Sequence, residues 1–101
     1  MKWRKQDDEP GEAYVRERQR ERFVIMTALV RAQERRDEVL AAVAAAATDE
    51  EAEVALASLL GLDEPQQATA VLDMQLRRMN SANRERMRAE YDDLRHALGE
   101  P

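Results

Sequence analysis

DEPQQATAVLDMQLRRMN, residues 63–80, decides how this chain is built. Asp63 is a favoured N-cap type, Pro65 suits a first helical turn, and Gln66 stands three places after Asp63, where a capping-box side chain reaches back. Ala68, Val71, Leu72, Gln75, Leu76 and Met79 then fall at i, i+3, i+4, i+7, i+8 and i+11, the stripe of one helical face. The spacing predicts an amphipathic helix over 64–79, with Val71, Leu72, Leu76 and Met79 turned to the chain's own core. Arg77 and Arg78 lie in its last turn, where the helix dipole favours positive charge.

Helices are predicted on both sides of this stretch. Downstream, Asn80 or Ser81 caps a last helix whose Met87, Tyr91, Leu94 and Leu98 alternate by four, three and four residues, a coiled-coil seam ended by Gly99 and Pro101. Upstream, Thr48 and Glu51 form a capping box; Ala52, Ala55, Leu56, Leu59 and Leu60 follow on one face, and Gly61 is the left-handed stop. Before that, DEVLAAVAAAA (37–47) reads as a helix with acids in its first turn and a narrow face of Val39, Leu40 and Val43. From Ala13 to Gln33 nothing breaks a helix, and Val15, Arg22, Met26, Leu29 and Gln33 fall near seam spacing with Phe23 and Val30 alongside.

Composition agrees with an all-α fold. The 101 residues are 44% hydrophobic and 37% charged, with three glycines, three prolines and one phenylalanine, which starves strands of their usual residues. A long antiparallel two-helix coiled-coil stalk with a small helical knob at its end, about five helices in all, is the economical arrangement. We expect one helical domain over 12–98, behind a flexible, polar arm over 1–11 in which Trp3 sits between Lys2 and Arg4.

Several function classes drop out. With no cysteine there is no disulfide framework and no thiolate metal site, and no apolar run has the roughly 18 residues of a membrane span. A cytoplasmic protein is the expectation. His96, one turn from Asp92 and Asp93, has no second nitrogen or sulfur ligand, so no metal is expected. Three scattered glycines make no phosphate loop, Ser58 and Ser81 have no evident base, and Tyr14 and Tyr91 sit at seam positions that packing explains. No catalytic residue, cofactor or small-molecule substrate is expected. RERQRER (16–22), with Arg77, Arg78, Arg84, Arg86 and Arg88, offers a DNA-binding alternative. A net charge of −5 and the interleaved glutamates weigh against it. A helical adaptor for an unrelated protein is the other alternative.

LLGLDEPQQATAVLDMQLRRMNSANRERMRAEYDDL (59–94) resembles a segment of bacterial gyrase and topoisomerase IV A subunits, carried by Gln67, Ala68, Ala70, Leu72, Asp73, Met74, Leu76, Arg78, Glu90, Tyr91 and Leu94. ERFVIMTALVRAQERRDEVL (21–40) is similar to the family's preceding helix, with Asp37, Glu38 and Val39 in register, so the resemblance runs over about 12–98. It implies the end of the family's coiled-coil arm and its exit gate, where two A subunits meet. On that footing the chain is expected to be a non-catalytic homodimerisation module that also associates with, and modulates, the gyrase A subunit. The implied dimer interface is Gln67, Ala70, Val71, Met74, Gln75 and Arg78. The family's winged-helix domain with its DNA-cleaving tyrosine has no counterpart here, and Tyr91 matches a structural tyrosine, so topoisomerase activity is not implied. The sequence departs from the family at Asn80–Asn83, where a Thr-Gly-Leu-Glu turn stands in the relatives, and at the polar seam positions Gln19, Arg22 and Gln33.

Overall fold

The computed structural model describes residues 11–100; the expected arm with Trp3 lies outside the described residues up to residue 10. Five α-helices follow one another: α1 Glu12–Glu34, α2 Arg36–Ala45, α3 Asp49–Leu60, α4 Pro65–Leu72 and α5 Ser81–Ala97, with a short 3-10 turn at Leu76–Met79 between α4 and α5. The described residues form no strand, and the all-α class expected from composition is the class observed.

Local chemistry sets most of the boundaries. α1 gives way to α2 at Arg35, whose φ of −129° and ψ of 38° leave the helical region. α3 begins at Thr48, whose hydroxyl accepts from the Glu51 amide at 3.1 Å. The Glu51 carboxylate reaches one residue further back than a capping box requires and accepts from the Ala47 amide at 2.9 Å. At the other end Gly61 turns left-handed, with φ 65° and ψ 43°. The Leu62 amide then donates to the Ala57 carbonyl at 3.0 Å, the long bond of a Schellman ending. Two arginines close the carbonyls left over. Arg31 donates to Gly61 O at 2.9 Å and Leu60 O at 3.2 Å, and Arg35 donates to Leu59 O at 2.7 Å.

The helix predicted over 64–79 differs in two ways. Its N-cap is Glu64, not Asp63, and the capping-box partner is Gln67, not Gln66. A cap at 64 places Pro65 at the first helical position, the one that tolerates a missing N–H best. The Gln67 Oε1 atom accepts from both the Asp63 and Glu64 amides at 3.1 Å. The second difference is length. α4 stops at Leu72, Asp73 caps it with φ −85° and ψ −2°, and Gln75 is extended before the 3-10 turn.

α1 is the central helix. Its Met26, Ala28, Leu29 and Ala32 meet Val39 of α2, Leu56 and Leu60 of α3, Val71 of α4 and Met87 of α5 in one buried cluster. α5 runs antiparallel along it: Val30 and Gln33 line one wall with Arg84 and Met87, while Val24 lines another with Leu98. The Phe23 and Tyr91 rings stack between the two, with centroids 5.5 Å apart. The predicted α5 seam is the face that packs, since Met87 and Leu98 are buried and Tyr91 and Leu94 lie against the core. The α1 seam faces α5 from Arg22 onward; Val15 is 45% exposed. α4 lies along α1, because Gln67 Nε2 donates to the Val24 carbonyl at 2.9 Å.

Candidate partner interface

The segment between α4 and α5 is built by one side chain from α1. Gln33, expected as a polar flaw in the α1 seam, is buried at 7% exposure. Its Nε2 donates to the Arg78 carbonyl at 2.9 Å and faces the sulfurs of Met74 at 3.6 Å and Met87 at 3.7 Å. Replacing a helix interior by a turn leaves backbone groups without their ladder partners, and here a buried amide supplies one. Asn80 completes the turn: its side chain accepts from the Asn83 amide at 2.9 Å, capping α5, while Asn83 Nδ2 donates to Arg77 O at 2.7 Å. An asparagine pair thus holds the turn at both ends.

Breaking the helix rotates everything after Asp73. Leu76 and Met79 were expected in the core beside Val71 and Leu72. Val71 is buried at 5%, and Leu72 is half-buried against the core. Met79 is half-buried in turn, but Leu76 stands out at 71% exposure. The six residues of the implied interface are dispersed accordingly. Gln67 and Val71 are buried within the chain. Ala70 and Met74 are half-buried against the core, Arg78 is half-buried, and Gln75 is exposed. Leu76 was absent from that set. No glycine or proline marks the break at Asp73, so periodicity alone carried the helix straight through it.

Arg18, Arg22, Arg35 and Arg88 pair with acids. Arg22 binds Glu90 across α1 and α5 through two hydrogen bonds, one of them Nη2 to Oε1 at 3.0 Å. The hydrogen bond from Arg22 lowers the Glu90 pKa and outweighs a partial burial that acts the other way; the same bond raises that of Arg22. Arg18 lies 3.7 Å from Glu21, Arg88 lies 3.1 Å from Glu34 and 3.8 Å from Asp92, and Arg35 pairs with Glu38. The basic residues of RERQRER therefore do not form an unbroken cationic stripe. The described residues hold no group of three or more His, Cys, Asp or Glu placed to bind a metal, and no helix among them is long and apolar enough to cross a membrane.

No family model matches the sequence. Individual proteins do. The chain is 39% identical over 81 residues to the DNA gyrase A subunit of Streptococcus pneumoniae, a match covering 80% of the chain. It is 41% identical over 88 residues to the DNA gyrase A subunit of Mycobacterium tuberculosis, again over 80% of the chain, and 40% identical over 70 residues to that of Streptococcus pyogenes, over 69%. The chain is homologous to a segment of the DNA gyrase A subunit. It spans about 10% of the length of the first two of these relatives. The gyrase-A-like character thus extends over most of the five-helix fold.

Proposed function

We propose that this gyrase-A-like chain is a non-catalytic association module that pairs with a second copy of itself, and through the same surface with a gyrase A subunit in the cytoplasm. About 40% identity to gyrase A subunits over 80% of the chain supports the reading. The one observation that carries the surface is Leu76, a large aliphatic side chain 71% exposed on a segment whose Arg78 carbonyl accepts from the buried Gln33. An exposed leucine on an ordered turn, beside half-buried Met74 and exposed Gln75, has the composition of an interface core in which methionine adapts to its partner. A two-fold axis near Leu76 brings both leucines together and uses Ala70, Met74, Gln75 and Arg78 on each side. The sequence shows no catalytic constellation, and the chain matches about a tenth of the gyrase A subunit, too little to hold that subunit's full catalytic domain.

Light scattering and sedimentation at tens of micromolar test the first half: a mass of two chains is expected, and a monomer at that concentration rejects it. A supercoiling assay, with co-purification against the gyrase A subunit, tests the second. No complex and no change in supercoiling rate would limit the module to self-association.

A further inference from the structure

A groove of about 570 Å³ lies where the first half of α1 meets the start of α4 and the end of α5. Phe23, Val24 and Leu98 form its apolar floor. Its rim carries the carboxylates of Glu17, Glu21, Glu64 and Glu100 against a single cation, Arg20. The α1 wall is one helical face, because Glu17, Glu21 and Val24 recur at i, i+4 and i+7. Tyr14, one turn before Glu17, continues that face and is 55% exposed. α5 stops at Ala97 and Gly99 turns left-handed with φ 69°, and the α1 residues before Phe23, apart from Gln19, are exposed. Of the four acids only Glu21 meets a cation among the described residues, Arg18 at 3.7 Å.

An apolar floor inside an acidic rim suits a cationic segment with one large apolar side chain. The chain owns such a segment in KWRK, residues 2–5, which sets its single tryptophan among Lys2, Arg4 and Lys5. The reach is sufficient. Trp3 stands eight residues before Gly11, up to about 27 Å of extended chain, while Phe23 and Val24 lie about 18–20 Å along the helix from Gly11. The order of charge agrees with a chain that folds back along α1: Asp7, Asp8 and Glu9 pass Arg16 and Arg18, and the three cations come after them to the acids of the groove. We propose that residues 2–5 dock in this groove of their own chain, with Trp3 on the apolar floor and Lys2, Arg4 and Lys5 against the acidic rim. Tethering supplies what the contact lacks in strength. A short linker gives an effective concentration on the order of 1 mM, so a contact with a Kd of about 1 mM, too weak to recruit a free peptide, is made about half the time. The docked segment neutralises the rim and keeps the apolar corner from other chains.

Trp3 is the only tryptophan of the chain, so its fluorescence reports the contact directly. In the full chain its emission is expected to be blue-shifted from that of the free peptide MKWRKQ, and acrylamide is expected to quench it about twofold less, as half-occupancy requires. Salt at about 1 M, which shortens the screening length to about 3 Å, is expected to return both values towards those of the peptide. Glu17→Lys combined with Glu21→Lys, on two exposed side chains, is expected to do the same with the fold intact by circular dichroism. Glu50→Lys combined with Glu85→Lys makes the same change in net charge away from the groove and is expected to leave the fluorescence as it is. Peptide-like emission and quenching in the parent chain at low salt overturn the proposal, as does an equal response to the two pairs of substitutions. Protection that fades on dilution overturns it in favour of a segment from a second copy. Leu76→Ala, which tests association at the other end of α4, is expected to leave the fluorescence unchanged, so the two readings fail separately.

Discussion

Leu76→Ala separates folding from association more cleanly than any other single change. In the isolated chain the side chain is 71% exposed, so truncation removes little burial and stability should stay within about 0.5 kcal/mol. In a two-fold pair the remaining surface is buried. Full burial of a leucine is worth about 1.5–3 kcal/mol, so the uncovered share is worth about 1–2 kcal/mol. An isologous interface counts the residue on both copies, giving about 2–4 kcal/mol, or a Kd raised from about 30-fold to nearly a thousandfold. Sedimentation equilibrium over a wide concentration range reads the Kd, and melting at the lowest concentration, where mass action no longer supports the fold, reads the monomer. A Kd within about threefold of the parent would remove Leu76 from the interface. A monomer destabilised by more than about 1 kcal/mol would show that Leu76 packs within its own chain, against the exposure on which the reasoning rests.

Gln67→Ala deletes a buried side chain that bonds the Asp63 and Glu64 amides and the Val24 carbonyl, and should cost about 2–4 kcal/mol in a denaturation titration. Gln67→Glu keeps the two accepted bonds but sets a carboxylate against Val24 O, so it should recover stability as pH falls and the carboxyl regains a donor. Glu90, whose pKa Arg22 lowers, contributes stability that is present above the ordinary carboxylate value of 4.5 and lost as pH falls through its own lower value. Because the two side chains are 47% and 39% exposed, the effect is about 0.2–1 kcal/mol, and Glu90→Gln should flatten that part of a stability–pH curve. Gly61→Ala meets no clash, only Arg31 Nη1 at 3.9 Å, yet should cost about 1–2 kcal/mol by thermal melting because φ is +65°.

What the chain carries in its local order is the inventory of helices. Thr48 with Glu51, Gly61, and Asn80 act within four residues of the boundaries they set, and the seam of α5 is a property of one helix face, so each is legible without a partner. Proline placement was legible as well, though only to within one residue: Glu64 and Gln67 win the cap because Gln67 is also drawn to Val24, 43 residues away. The family likeness was readable for the same reason, since it rests on contiguous residues. Tertiary structure decided the rest. Arg22 and Gln33 look like interruptions in an apolar stripe until α5 supplies Glu90 and the turn supplies the Arg78 carbonyl. The end of α4 has no local signal in the sequence, no glycine or proline, and its turn takes a hydrogen bond from a buried amide of α1 instead of continuing the helix. In that turn Leu76 faces solvent and not the core, which only the packing of α1 against the turn decides.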